Sequence, residues 1–242
     1  MPLLEVERVS KAFGGLKALR EVSLTLAPGE CLGVMGPNGS GKTTLLNLIA
    51  GALAPDSGRI RLRGEEIAGL PPHRICARGV ARTFQLVRPF PGLSALDNVL
   101  VGQRFGRAPR SGREAVAEAQ RLLELVGLGG KGGCRAADLT LVERKRLELA
   151  RALATAPSLL LLDEFLAGLS PRETETTMAL LRRLVADGIA LVMVEHVVWA
   201  LMDLCPRIVV LNAGEKIAEG APGAVASDPA VVAAYLGGVP RA

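Results

Sequence analysis

The chain has 242 residues, of which 49% are apolar and only 3% aromatic, with a formal net charge of +5. That length holds one α/β domain with an insertion, or two small domains, around an aliphatic core. The mildly basic balance suits polyphosphate, nucleic acid or an anionic membrane surface and chooses none of them. The start, MPLLEVERVS, lacks the basic residues and apolar run of a secretory signal. The most apolar long window, residues 188–205, carries Glu195, His196 and Asp203, which are costly in lipid, so no membrane span is expected. Cys31, Cys76, Cys134 and Cys205 are far apart in sequence and form no C-x-x-C pair. They read as reduced thiols, not as a metal site or disulfide frame.

Residues 3–9 and 21–27 alternate apolar and polar, as half-buried strands do. Between them, Phe13 sits in a Gly-containing turn. A Pro28-Gly29 turn leads to CLGVM, residues 31–35, a short apolar run suited to a buried strand. GPNGSGKTT follows, residues 36–44, with Gly36, Gly41, Lys42 and Thr43 in the fixed places of G-x-x-x-x-G-K-[ST]. A helix start comes next, so the Gly-rich loop lies in the strand–loop–helix context that gives the pattern its meaning. Glycines let the backbone curl so that the N–H groups of Gly36, Asn38, Gly39, Ser40, Gly41, Lys42, Thr43 and Thr44, in a stretch where only Pro37 lacks the donor, can surround one anion. The helix N-terminus adds partial positive charge. Lys42 can reach outer phosphates, and the Thr43 hydroxyl can ligate Mg²⁺. A nucleoside triphosphate site is the expectation.

Residues 59–64 alternate as a further strand, 71–78 suit a short helix, and 79–84 a strand followed directly by Gln85. Ser94 and Asp97 fit a helix cap. Residues 104–113 form an Arg-, Gly- and Pro-rich loop, residues 114–126 have helical apolar spacing, and 127–133 are Gly-rich and expected to be a flexible stop. The spaced arginines Arg104, Arg107, Arg110 and Arg113 are expected in a solvated loop. A helix over 142–155 precedes SLLLLDE, residues 158–164, a buried strand ending in Asp163 and Glu164. Ligands in parallel α/β sheets lie beyond the C-terminal ends of the strands. Asp163 is therefore placed to hold Mg²⁺ through water, and Glu164 to orient or deprotonate an attacking water. Ser170 and Pro171 open a helix to about 186, and residues 189–196 form another buried strand ending in His196. A hairpin over 207–220 turns at Asn212-Ala213-Gly214, and a helix over 228–236 closes the order. No internal repeat occurs. Taken singly, His196, Gln85 and Phe13 are each as well explained as ordinary structural residues.

Their order along the chain supplies the context. An aromatic, a Gly-rich loop, a glutamine, a helical insertion, LDE and a histidine follow one another, and in this the sequence resembles the ATP-binding subunit of ABC transporters from Leu3 to about Gly237. The resemblance implies a P-loop α/β fold of ABC type. Its parallel-core sheet would carry an N-terminal antiparallel β part and a helical subdomain insertion. The whole chain, 1–242, would be one ATPase domain, with the helical subdomain at 86–157 and a C-terminal helical extension at 221–242. It implies that Phe13 stacks on adenine and that Gln85 senses nucleotide, touches Mg²⁺ and meets the membrane partner. It also makes Glu164 the catalytic glutamate and His196 the switch histidine. ATP and Mg²⁺ are the implied cofactors. The implied partners are a second ATPase subunit, two permease subunits and, indirectly, an extracytoplasmic solute-binding protein, with no nucleic acid. The implied place is the cytoplasmic face of the membrane. ARTFQLVRPFPGLSALDNVLVG, the D-E-x-x-A-G-L-S-P run from Asp163 to Pro171, and VVAAYLG look like the branched-chain amino acid importer group, which has relatives for amides and urea.

Two positions depart from the family pattern. Where L-S-G-G-Q is usual, this chain has LTLVE, residues 139–143. Thr140 keeps a hydroxyl for the terminal phosphate of the partner's ATP, but Leu141 and Val142 replace glycines, and Glu143 replaces an amide. Phe165 stands where proline usually follows the glutamate. These departures motivate an alternative, in which the chain is the regulatory or weakly hydrolytic half of an unlike ATPase pair.

Overall fold

The computed structural model describes residues 1–85 and 87–236. Two sheets organise them. The first is antiparallel, with order β2-β1-β4-β5: β1 (Leu4–Phe13), β2 (Leu16–Leu26), β4 (Ser57–Leu62) and β5 (Glu65–Glu66). The second has order β10-β9-β3-β8-β7-β6. In it β9 (Arg207–Asn212), β3 (Cys31–Met35), β8 (Ala190–Val194), β7 (Leu159–Asp163) and β6 (Val80–Arg82) run parallel, and β10 (Glu215–Gly220) closes the edge antiparallel to β9. This is the antiparallel front beside a parallel core that the alternation of the N-terminal strands predicts.

The central strands are apolar throughout because both faces of their sheet are covered. Successive side chains point to opposite faces. Leu159 and Leu161 of β7, with Leu32, Val34, Val192 and Val209, enter a core closed by the antiparallel sheet and α1 (Lys42–Ile49). Leu160, Leu162, Leu191, Met193, Ile208 and Val210 enter the opposite core. That core is covered by α3 (Ala95–Phe105), α4 (Gly112–Leu125), α5 (Leu141–Ala154), α6 (Pro171–Ala186) and α7 (Val198–Leu204). Two short C-terminal helices, α8 (Pro222–Ala226) and α9 (Pro229–Leu236), reach it through Val225 and Val231, and α2 (Pro72–Ala77) buries Ile75 on the first core. Cys31 and Cys205, distant in sequence, meet in the second core with their Sγ atoms 3.1 Å apart.

Several local expectations need correction. Phe13 is the last residue of β1 and flanks the Gly-containing turn instead of lying in it, because β1 and β2 pair as far as Phe13–Leu16 and leave only Gly14 and Gly15 to turn. The stretch 127–133 is not a flexible stop. The Leu128 amide donates to Leu123 O and the Cys134 amide to Lys131 O, and the Leu128 side chain is buried. The loop at 104–113 is shorter than expected, since α3 runs to Phe105 and α4 begins at Gly112. Its arginines are not simply solvated: Arg107 Nε donates to Ala156 O, and Arg110 pairs with Glu114 and Glu118. β6 ends at Arg82, so two residues separate it from Gln85. The VVAAYLG stretch is helical to Leu236, and residues 237–242 of the expected extension lie outside the described residues, as does Leu86.

Leu160, the second residue of β7, is fully buried and packs on the helical side. Leu160→Ala is expected to cost about 3 kcal/mol, from lost transfer energy plus the cavity it leaves. The thermal midpoint should fall by roughly 10 °C, as calorimetry would read.

Candidate functional site

Three parallel strands set the site. In the ladder Val34 of β3 lies beside Val194 of β8, and Val194 beside Asp163 of β7. The residues that follow, Gly36, Glu164 and Glu195-His196, therefore leave the same sheet edge side by side. The Gly36–Thr44 loop rises from β3 and enters α1 at Lys42. Two glycines in it are demanded by contact. A Cβ on Gly36, at φ 149°, would meet Leu211 O at 2.1 Å, and one on Gly41, at φ 104°, would meet Ala18 O at 2.5 Å.

Lys42 is buried, and its ammonium donates to Gly36 O at 2.8 Å and Pro37 O at 2.9 Å. An ammonium has three donors, so one remains for a phosphate oxygen. Burial pushes its pKa down, and the nearby charges of Glu164 and Asp163 pull it back up. The loop opens on a cleft of about 610 Å³ that is also lined by Phe13, Glu164 and His196. Phe13 is half-exposed there, with Lys11 Nζ 5.7 Å from its ring centre.

Glu164 sits between two neighbours. Gln85 Nε2 donates to its Oε2 at 2.7 Å, and His196 Nε2 lies 2.9 Å from its Oε1. Its backbone is left-handed, φ 49°, a conformation that costs on the order of 1 kcal/mol in a residue with a Cβ. Its amide is held by Val194 O at 2.8 Å. The structure thus brings Phe13, the Gly-rich loop, Gln85, Glu164 and His196 together. Thr140 stands apart, as the N-cap of α5. Its Oγ1 accepts from the Glu143 amide while Glu143 Oε2 accepts from the Thr140 amide, and Lys131 pairs with Glu143. The Glu143 charge, unexpected from the family pattern, is thereby matched by a lysine and by a helix N-terminus. Its pKa is held below the usual carboxylate range, chiefly by the Lys131 bond. Phe165 is buried in the helical-side core, which has room for the ring where proline is usual.

Asp163 is almost fully buried. Arg82 donates to its Oδ2 at 2.8 Å and also to Asn47 Oδ1, while Oδ1 of Asp163 has no partner. The unpartnered carboxylate oxygen at the end of β7 and the Thr43 hydroxyl at the head of α1 would make an all-oxygen set, which suits Mg²⁺. Such an ion would supply charge neutralisation at the outer phosphates. Arg82, Asn47 and Lys145 were not legible as site residues. Lys145 is buried, and its Nζ donates to Phe165 O and Ala167 O, fixing the turn after Glu164. Periodicity places a mid-helix lysine on an outer face, and only packing reveals it underneath.

With this geometry in view, comparison with known proteins decides the family. The ABC transporter family profile matches residues 19–167. The chain belongs to the ABC transporter ATP-binding family. It is an ATPase of that family and binds adenine nucleotide. A second profile, of the branched-chain amino acid ATP-binding cassette transporter, matches residues 215–240. The chain is 40% identical to the high-affinity branched-chain amino acid transport ATP-binding protein BraF of Pseudomonas aeruginosa, over 98% of both. It is 37% identical to LivG of Escherichia coli, a protein of the same description, again over 98% of both. Among solved structures it is similar to the ADP conformation of an ATP-binding cassette of an ABC transporter, with TM-score 0.89 and 32% identity over 98% of this chain and 99% of that one. It also resembles a dimeric post-hydrolysis cassette bound to ADP and phosphate, with TM-score 0.82 and 29% identity over 90% and 98%.

Glu195, next to His196, is buried, with Oε1 accepting from the Leu166 amide and Oε2 unpartnered. Burial raises its pKa from 4.5 to about 7, against the Leu166 bond and the Lys145 charge. The folded chain holds this proton more tightly than the unfolded one. Its contribution is thus complete below about 4.5 and lost as pH rises through about 7. Glu195→Gln keeps the acceptor for Leu166 and should stabilise the chain at pH 8, by a few kcal/mol at most. It should also flatten the dependence of the thermal midpoint on pH across that window.

Proposed function

We propose that this chain is the ATP-hydrolysing subunit of an importer for branched-chain or similar hydrophobic amino acids, or related amides. What supports this most is Glu164, a carboxylate held by Gln85 and His196 at the mouth of the phosphate-loop cleft. In this reading ATP binds with adenine on Phe13 and its phosphates in the amides of residues 36–44. Mg²⁺ is held by Thr43, by Gln85 and, through water, by Asp163. Glu164 receives a proton from the attacking water, and His196 contacts the terminal phosphate. Two subunits close head to tail, and the Thr140 hydroxyl of one reaches the ATP of the other. The Thr140 oxygen accepts from Glu143, which leaves its own O–H free to donate.

The permeases would dock where the 86–157 helical subdomain meets the sheet. A groove of about 460 Å³ lies there, with Phe84, Phe90 and Phe105 at its rim, each substantially exposed. Exposed aromatics gathered at one groove are the mark of an interaction surface. Gln85 follows Phe84, so the groove and the Glu164 carboxylate are joined by one residue. Among the described residues no helix is long and apolar enough to cross a membrane. The chain would lie at the cytoplasmic face, held by its permeases, and the solute would meet the permeases and a binding protein. The names of the relatives and the match at residues 215–240 support the branched-chain assignment.

A second reading pairs this chain with an unlike ATPase. It is favoured by Leu141, half-exposed at the head of α5 where the family has a glycine. Glu164→Gln decides between them and tests the base. Turnover should fall by at least about a hundredfold with ATP binding retained. Normal turnover in this variant sinks the base assignment. Its mass should double with Mg²⁺-ATP if the chain forms its own sandwich. A variant that binds ATP and stays monomeric supports the unlike pair.

A further inference from the structure

The C-terminal helix reaches the root of the phosphate loop. The β3 ladder ends where Met35 pairs with Val210, so the Gly36 amide is the first main-chain donor beyond the sheet. It donates to the hydroxyl of Tyr235, 199 positions later in the chain, at 2.8 Å. The Gly36 carbonyl in turn accepts from the Lys42 ammonium. Gly36 is thus held on three sides: by Tyr235 at its N–H, by Lys42 at its C=O, and by Leu211 O where a side chain would project. The same C-terminal unit makes a second bond to the loop, from the Gly214 amide to Ser40 O at 3.2 Å. Helix α9 is itself set in place by Asp228, which accepts from the Ala230 amide, and by buried Val231. Burial pushes the phenol pKa up, with the Gly36 bond pulling it back. The group is therefore a neutral hydroxyl that accepts from the loop.

We propose that Tyr235 is a positioning residue of the ATP site, through which the C-terminal helix sets the conformation of the phosphate loop. The tail that matches the branched-chain cassette profile includes this residue, so the tail completes the nucleotide site from behind. The proposal rests on the loop as the ATP site, which Lys42→Ala tests separately.

The full-length chain with Tyr235→Phe keeps the ring and loses the oxygen. One hydrogen bond is worth about 1 kcal/mol, so the Kd for Mg²⁺-ATP and for Mg²⁺-ADP, read by calorimetry, should each rise about fivefold. KM should rise with them, kcat should change by less than about twofold, and the nucleotide-free thermal midpoint should fall by no more than about 4 °C, the worth of one hydrogen bond. The chain has one tyrosine, so a ¹³C-tyrosine sample gives one set of ring resonances. These should shift when Mg²⁺-ATP is added to the wild-type chain and stay still in Lys42→Ala. Wild-type Kd and KM in Tyr235→Phe would overturn the proposal, as would ring resonances unmoved at saturating ATP. A nucleotide-free midpoint lowered well beyond what one hydrogen bond is worth would assign the hydroxyl a merely structural part, and also overturn it. ATP binding lost in Lys42→Ala but normal in Tyr235→Phe would remove this proposal and leave the ATP site standing.

Discussion

The register of three parallel strands is the constraint on which the rest of this molecule depends. Val34, Val194 and Asp163 stand abreast, so three chain segments distant in sequence leave the sheet at one edge. No side chain need search for another after that. Gly36 begins the anion loop, Glu164 turns up through a left-handed residue, and His196 follows from the middle strand. The register is specified by the apolar period of these strands. Leu159 and Leu161 face one core while Leu160 and Leu162 face the other, and a slip by one residue would exchange all four.

Around that edge the charges are arranged by burial and pairing. Asp163 would be an isolated buried carboxylate but for Arg82, which neutralises one oxygen and leaves the other available. Lys42 is desolvated but tethered to two loop carbonyls, so its charge is held at the centre of the cradle. Glu195 and Lys145 lie one layer beneath, and Lys145 binds the carbonyls of the turn after Glu164. These groups fix the backbone from which the Glu164 carboxylate projects. Preorganisation of this kind lowers the reorganisation needed when charge develops on the phosphates.

The loop is supported from outside the nucleotide cleft as well. The β9–β10 hairpin bonds Ser40, and α9 bonds Gly36 through Tyr235. On the other side, Gln85 links the Glu164 carboxylate to a stretch whose neighbour Phe84 rims the groove beside α3 and α5. One carboxylate is thereby in contact with the nucleotide cleft and one residue away from an apolar surface. In the proposed function, that adjacency would couple hydrolysis to a partner bound in the groove. The degenerate LTLVE stretch is no loose end in the fold: it forms a complete capping box, with Glu143 paired to Lys131.

Much of this was legible in the chain alone. Local signals wrote the phosphate loop, because glycine spacing and the following lysine and threonine are a backbone requirement carried by neighbours. The same holds for the LDE strand end, the Ser94 and Ser170 caps, and the Asn212–Gly214 turn. The groups that sequence left equivocal, Phe13, Gln85 and His196, needed the ladder, since each is chemically ordinary until it stands beside Glu164 or the cleft. Arg82 on Asp163, Lys145 beneath the turn, and Tyr235 on Gly36 were decided only by the tertiary structure. Their partners lie 81, 20 and 199 positions away, and a hydrogen bond across such a separation leaves no periodicity for sequence reading to detect.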